Sequence, residues 1–272
     1  MAAPLSEVLS ALERLAPLSF AESWDNVGLL VEPAPSSAAQ VSRALLTIDL
    51  EPQVLQEALA LGAQLIVAYH PPLFQGLKRL RCSAPSERVA VQAVAAGLFV
   101  FSPHTALDAA PGGVNDWLLD AFGGAELKRE PCLPHPADSR FGAGRFLRLP
   151  QPMTLAEAAS RLKGQLGVPQ LRVAAAAEHA GGAALIRNVA VCAGAGGSVF
   201  EKLSGFDLFV TGEMRHHDVR ARVQSGSSVV LSEHTHTERG YLRTFAERLT
   251  AETAREVTFH VSESDREPLS WQ

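Results

Sequence analysis

Two short stretches of the chain combine residue types that bind metal ions or transfer protons. Ser102 to Asp108 reads Ser-Pro-His-Thr-Ala-Leu-Asp and Ser232 to Glu238 reads Ser-Glu-His-Thr-His-Thr-Glu, so both share the pattern Ser-x-His-Thr-x-x-acid. Each stretch follows a short apolar run and precedes a helix-like pattern, which places an imidazole and a carboxylate at the carboxyl end of a predicted strand. Because the pair recurs in both halves of the chain, the sequence favours a shared metal or catalytic site over coincidence.

Other polar residues also follow predicted strands, namely Asp49, His70 and Glu213. His70 precedes two prolines that cannot continue a strand ladder, so it marks the point where the chain leaves a sheet. We interpret His70 as a metal ligand. Glu213 is either a general base or a group next to the ligands, and a plain acid at a helix start is an equally good interpretation.

Imidazole and carboxylate ligands without cysteine suit an open site for Zn²⁺, Fe²⁺ or Mn²⁺. A site with two metal ions needs bridging carboxylates, and Asp108 and Glu238 are the candidates. His104 is expected to lie beside the ligands or to transfer protons. His216 and His217 are interpreted as a helix cap and a surface residue in preference to ligands, and His236 as a residue that faces solvent or a partner subunit. The remaining histidines are interpreted as structural; they are His135, His179 and His260.

Two other kinds of site are weaker interpretations. The glycine-rich turn from Gly194 to Ser198 could hold a phosphate at a helix start, but a tight turn explains it better. A Ser-His-Asp hydrolase is disfavoured because the sequence has no Gly-x-Ser-x-Gly elbow.

The bulk composition narrows the class of protein. With 272 residues, of which 47% are hydrophobic, the chain can bury a substantial core. A formal net charge of -5 disfavours direct binding to nucleic acid. No apolar run is long enough to span a bilayer, and the start of the chain resembles a folded helix more than a targeting signal. The three scattered cysteines indicate a reducing compartment, so a cytoplasmic protein is expected.

The order of predicted elements indicates an α/β fold. Strands alternate with helices in both halves, which predicts two duplicated α/β lobes with mainly parallel or mixed sheets. We place the first lobe at residues 1–125, a connector rich in glycine and proline at 126–152, and the second lobe at 153–272. Parallel sheets bind ligands beyond the carboxyl ends of their strands, so the metal site is expected in a crevice that both lobes line.

Five motifs, read together, resemble the Nif-three-like family, whose bacterial members are labelled GTP cyclohydrolase type 2 homologues. They are Ser-Trp-Asp-Asn-Val-Gly-Leu-Leu-Val at 23–31, Tyr-His-Pro-Pro at 69–72, Ser-Pro-His-Thr-Ala-Leu-Asp-Ala-Ala at 102–110, Thr-Gly-Glu-Met-Arg-His-His-Asp at 211–218 and Ser-Glu-His-Thr-His-Thr-Glu-Arg-Gly at 232–240. The resemblance spans nearly the whole chain and is closest to the animal members.

The resemblance implies two interlinked α/β lobes, a dinuclear metal site and a homodimer or a ring-shaped hexamer built from dimers. It also implies that the metal ligands are His70, Asp108, His234 and Glu238. The bacterial pattern has two successive histidines where this chain has Tyr69 and His70. A phenol with a pKa near 10 is a poor ligand at neutral pH, which makes the second metal ion the less secure of the two.

Two functions are therefore expected. The first is a metal-dependent hydrolase in which a metal-activated water attacks a substrate with a nucleotide-like ring, and His104 or Glu213 transfers protons. The alternative is a protein-interaction factor that acts as a transcriptional cofactor through partner proteins in cytoplasm and nucleus, as animal relatives are described.

Overall fold

The structure is a computed structural model that describes residues 2–124 and 126–269. Its strands are, in chain order, β1 (Ala3–Pro4), β2 (Gly28–Val31), β3 (Gln40–Val41), β4 (Arg43–Thr47), β5 (Leu65–Ala68), β6 (Phe99–Ser102), β7 (Leu133–His135), β8 (Asp138–Ala143), β9 (Arg145–Met153), β10 (Arg172–Ala174), β11 (Ile186–Cys192), β12 (Leu208–Thr211), β13 (Ser228–Leu231) and β14 (Thr258–Val261). Its α-helices are α1 (Leu5–Leu15), α2 (Pro52–Leu61), α3 (Pro85–Ala95), α4 (His104–Ala109), α5 (Val114–Leu119), α6 (Leu155–Leu166), α7 (Ala177–Ala180), α8 (Gly197–Phe200), α9 (His216–Gln224), α10 (His236–Arg239) and α11 (Tyr241–Glu252).

Local sequence signals set the ends of several helices. Helix α2 begins at Pro52, whose fixed φ suits a first helical position, and ends at Gly62 in the left-handed conformation. Helix α6 follows Thr154, whose hydroxyl accepts a hydrogen bond from the backbone N–H of Glu157 at 3.1 Å.

The chain forms two compact units. Unit 1 comprises the described residues up to Leu107 and from Leu242 onward, and unit 2 comprises Asp108–Tyr241. The sheet of unit 1 has the strand order β14-β4-β5-β6-β2, in which only β2 runs antiparallel to its neighbour. The carboxyl ends of β4, β5 and β6 therefore meet at one edge, and Asp49, His70 and His104 follow those ends.

Unit 2 contains a five-stranded sheet of related design. Its order is β10-β13-β12-β11-β9, with β11, β12 and β13 parallel and both outer strands antiparallel. Gly194, Glu213 and His234 follow the carboxyl ends of the three parallel strands. In each unit the third parallel strand carries the Ser-x-His-Thr motif and pairs with an antiparallel strand from earlier in the chain. The predicted α/β class and the repeated plan are confirmed.

Each sheet is covered by helices on one face through an apolar core. In unit 1, α2 and α3 pack on the strand positions Leu45, Ile66 and Val100, all of which are buried. In unit 2, α8 and α9 cover the face that carries Ala190, Phe209 and Val229; the helix residues in that core include Phe200, Val199 and Val219. These apolar layers hold the strands, and with them the polar residues at the strand ends.

The compact units differ from the predicted lobes at both boundaries. Strand β14, expected in the second lobe, pairs in parallel with β4 in the sheet of unit 1. The predicted connector contains the antiparallel pair β7–β8 and all of β9 except its last residue, and β9 pairs with β11 in unit 2. Sequence patterns could not reveal this, because strand partners are chosen by contacts between residues far apart in the chain.

The helical segment that follows the second Ser-x-His-Thr motif is divided into two helices. Gly240 separates α10 from α11, and a Cβ atom at this glycine would collide with the ring of Trp117. Within the part of the chain that the structure describes, no helix has the length and apolar character needed to cross a bilayer.

Candidate functional site

The first Ser-x-His-Thr motif places His104 where β6 ends and α4 begins. Its ring Nδ1 lies 2.8 Å from Oδ1 of Asp25, and the His104 side chain is 15% exposed. With this geometry, a neutral His104 ring donates from Nδ1 to the carboxylate and keeps a lone pair on Nε2. That tautomer is the one that a metal-binding or proton-accepting imidazole needs.

Asp25 has a buried carboxylate whose role could not be predicted from the sequence patterns. The backbone N–H of Thr105 donates to its Oδ2 at 3.1 Å and the Thr105 hydroxyl at 2.5 Å. Burial alone would raise the pKa of Asp25, but the hydrogen bonds from His104 and Thr105 outweigh it and hold the pKa below the ordinary value. The charged carboxylate thus fixes the His104 ring. The only sequence signal for it was an acid inside the motif at residues 23–31.

His70 is held in the same way at the end of β5. Its Nδ1 lies 3.0 Å from Oδ1 of Asp49, which follows β4. The His70 and His104 rings lie edge to face with centroids 5.3 Å apart. Tyr69 is buried, and its ring contacts both imidazoles with centroid distances of 5.1 Å to His70 and 5.6 Å to His104. Unit 1 therefore gathers two carboxylate-anchored imidazoles at one sheet edge.

The second motif gives unit 2 a corresponding imidazole, His234. Its Nδ1 lies 3.1 Å from Oε1 of Glu213, the second residue after β12. On the other side of the ring, Nε2 lies 3.4 Å from Oε1 of Glu238, which is only 2% exposed. An imidazole nitrogen and a carboxylate oxygen thus face each other, as they do when both bind one ion.

The glycine turn after β11 lies directly against this pair. Gly194 has φ +61°, and a Cβ atom there would lie 2.7 Å from His234 Nε2 and 2.8 Å from Glu238 Oε1. The Gly194 N–H donates to the hydroxyl of Thr237 at 2.8 Å, and the Gly194 carbonyl accepts from the N–H of Glu213 at 2.9 Å. The turn is therefore part of the support for His234 and Glu238, in line with the interpretation of a tight turn.

Asp108, a predicted ligand, lies half-buried on α4. Its carbonyl accepts a hydrogen bond from the Asn115 amide at 3.1 Å, and the next carbonyl, of Ala109, accepts from Nη2 of the buried Arg145 at 2.6 Å. Burial lowers the pKa of Arg145, and the carboxylates of Asp116 and Asp108 oppose that shift. Two side chains thus fix the backbone that carries Asp108.

Both motifs contain a non-glycine residue in the left-handed backbone region. His104 has φ 23° and Glu233, which precedes His234, has φ 67°. Such conformations cost about 1–3 kcal/mol each and persist where surrounding contacts impose them. Arg172 supplies one such contact, because its guanidinium lies 3.0 Å from the Glu233 carboxylate.

The remaining histidines lie elsewhere in the described residues. His216 and His217 begin α9 and are exposed, with ring centroids 5.4 Å apart. His236 Nδ1 lies 2.7 Å from the carbonyl of Ser232, and buried His179 lies 2.9 Å from the Ser228 hydroxyl. These contacts agree with their interpretation as surface or structural residues.

A cleft of about 900 Å³ in unit 2 adjoins Glu213. It runs between α8 and α9, and its lining includes Ala195, Ser198, Met214 and Arg215. The side chain of Glu213 is 53% exposed, so one carboxylate both anchors His234 and faces the cleft.

The fold and these sites define an α/β protein whose strand ends carry carboxylate-anchored imidazoles. The family model described as Duf34/NIF3 (NGG1p interacting factor 3) matches residues 3–268, so the chain belongs to the NIF3 family. The family resemblance of the motifs is confirmed.

Individual relatives agree with this assignment. The chain is 39% identical to NIF3-like protein 1 of Drosophila melanogaster over 97% of this chain and 88% of that protein. It is 37% identical to NGG1-interacting factor 3 of Saccharomyces cerevisiae over 98% and 97% of the two chains. A Bacillus cereus protein related to NIF3 has the same fold, with a TM-score of 0.84, 20% identity and 98% of each chain covered.

Proposed function

We propose that the protein is a divalent-metal-dependent hydrolase whose ligands are His70, Asp108, His234 and Glu238. Two imidazoles and a carboxylate, from His70, His234 and Glu238, are a donor set able to hold a divalent ion. Nitrogen and carboxylate ligands without thiolate suit Zn²⁺, Fe²⁺ or Mn²⁺. Asp108 adds the second carboxylate that a pair of ions would need.

The observation that carries this proposal is the carboxylate behind each imidazole. Nδ1 of His70, His104 and His234 lies 3.0, 2.8 and 3.1 Å from a carboxylate oxygen. Metal-binding histidines usually donate their second ring N–H in this way, which fixes the tautomer and raises the basicity of the ligating nitrogen. A histidine that serves only packing has no need of a charged partner.

A bound divalent ion would supply Lewis acidity and lower the pKa of a coordinated water. The chain's own residues supply the rest of the chemistry. Asp49 and Asp25 orient the rings of unit 1, and Glu213 orients His234. Because Glu213 also faces the cleft of unit 2, its carboxylate can accept a proton from a group bound there. His104 is the second candidate for proton transfer.

The test combines metal analysis with a hydrolase screen on His234→Ala and Glu238→Ala. Both variants should lose most of the bound metal and any turnover of phosphoester or nucleotide-like substrates. His236→Ala is the matched control, because that ring contacts a backbone carbonyl two residues from His234. Unchanged metal content in His234→Ala would refute the ligand assignment.

A second variant tests the proposal that Tyr69, in place of a histidine, weakens the binding of a second metal ion. Tyr69 contacts the rings of His70 and His104, so an imidazole at this position would add a nitrogen donor beside them. Tyr69→His should raise the metal-to-protein ratio measured by mass spectrometry. An unchanged ratio would contradict this account of Tyr69.

A second candidate function is a protein-interaction factor that acts in transcription. It is supported by the name of the yeast relative, which describes a protein that interacts with NGG1. In this case the chain would self-associate and bind partner proteins in cytoplasm and nucleus. Partner binding that survives in His234→Ala, with no turnover in either form, would favour this function over the hydrolase.

A further inference from the structure

Two large aromatic side chains are exposed beside His104 in unit 1. Trp24 is 59% exposed and Phe74 is 48% exposed. Their ring centroids lie 6.0 Å apart, and the Trp24 ring lies 6.1 Å from the His104 ring. Single exposed aromatics are common on protein surfaces, but a pair beside a carboxylate-anchored imidazole provides a stacking surface next to a reactive group.

Hydrogen bonds fix the backbone at both aromatics. The residue that follows Trp24 is the carboxylate that holds His104, and the next residue, Asn26, donates from its amide to the carbonyl of Leu73. Phe74 follows directly. Hydrogen bonds thus fix the backbone next to both rings. A ligand that contacts them therefore pays a smaller entropic cost for ordering its binding site.

The same loop supplies positive charge. A hollow of about 800 Å³ is lined by Asn26 and residues 73–80, which include Lys78 and Arg79. Both cations are exposed, and within residues 2–124 and 126–269 neither makes an ion pair or a hydrogen bond. Arg81, by contrast, lies 3.6 Å from Glu87. The hollow has the size of a small-molecule site, and its lining combines the Phe74 ring with these two cations.

We propose that the planar aromatic ring of a small anionic ligand stacks on the face of Trp24 and contacts Phe74, which is tilted by 54° to Trp24, at its edge, while the ligand's phosphate or carboxylate contacts Lys78 and Arg79. Aromatic faces bind flat rings, and the two cations supply the complementary charge. This proposal rests on the proposed function, because it names the substrate class held beside His104. The net charge of -5 favours a small ligand over a nucleic acid strand.

The test is calorimetric titration of the full chain in chelator with adenosine monophosphate, adenosine and ribose 5-phosphate as probes. The mononucleotide should bind at least tenfold tighter than either part alone. Trp24→Ala should weaken its binding about 5- to 150-fold, the range that alanine substitution gives for one stacked base, whereas Trp24→Phe should retain most of it. The double variant Lys78→Ala/Arg79→Ala should remove the preference for the phosphate.

Two exposed positions outside the hollow provide matched controls. Leu59→Ala removes an exposed apolar side chain and Lys202→Ala an exposed cation, and neither should change the affinity. Equal affinity of wild type and Trp24→Ala would overturn the proposal. The proposal would also be overturned if Trp24→Ala changed only the self-association of the protein, or if the protein bound oligoadenylate more than tenfold tighter than it binds the mononucleotide. Because the titration excludes metal, failure of the metal site leaves this result interpretable.

Discussion

Substitution of Gly194 by alanine tests the contact between the glycine turn and the pair His234–Glu238. A left-handed backbone costs an L-residue about 1–2 kcal/mol, so Gly194→Ala should lose that much free energy of unfolding. The added Cβ would also lie 2.7 and 2.8 Å from the two facing atoms, where ordinary contact begins at 3.4 Å. Those atoms must therefore move by about 0.6–0.7 Å, beyond the roughly 0.5 Å tolerance of a precise ligand site.

The control for this variant is Gly167→Ala. Gly167 has φ +66° and a Cβ there meets nothing within 4 Å, so its substitution imposes the backbone strain without the collision. Urea unfolding in chelator should show similar losses from strain in both variants. Metal affinity, measured by competition with a chromophoric chelator, should fall about 10- to 100-fold in Gly194→Ala alone. Wild-type affinity in Gly194→Ala would refute the assignment of His234 and Glu238 as joint ligands.

Three further predictions concern stability and reactivity. Burial acts to raise the pKa of Glu57, but hydrogen bonds from the segment after β14 lower it overall. Glu57→Gln should therefore reduce the free energy of unfolding by about 1 kcal/mol at pH values above the ordinary pKa of 4.5, and by progressively less as the pH falls below it. Urea titrations that show an equal loss at low pH would contradict this. Glu233→Gly should be more stable than Glu233→Ala by about 1 kcal/mol, because glycine adopts φ 67° without strain; thermal unfolding that ranks alanine higher would argue against strain there. Burial raises the pKa of Cys132 to about 12, so an alkylating reagent at about pH 8 should modify exposed Cys82 and spare Cys132, as peptide mass spectrometry can check.

Much of the fold could be predicted from local patterns. Pro52 and Gly62 mark the ends of α2, and the run Leu65–Ala68 coincides with β5, because caps and buried strands leave signatures in neighbouring residues. The partner of β14 could not be predicted, since a short apolar strand fits the edge of either sheet. The same limit applies to β9, whose pairing with β11 depends on residues far along the chain.

The candidate site was predictable in part. Repetition of one motif identified His104 and His234, and strand ends identified His70 and Glu213. The anchoring carboxylates were harder to assign. Asp25 is far from His104 in the chain and lies in a turn, so only the three-dimensional structure pairs them. Which of these side chains bind an ion stays a prediction for the metal measurements.

The position of β14 bears on how the chain folds as it leaves the ribosome. All strands of unit 2 have been synthesised once Leu231 is complete, so its sheet can close early. Synthesis of unit 1 begins first, but its strand β4 has no partner on its outer side until Thr258–Val261 has been synthesised. Until then β4 exposes an unpaired edge, a target for chaperones and for misassembly between nascent chains.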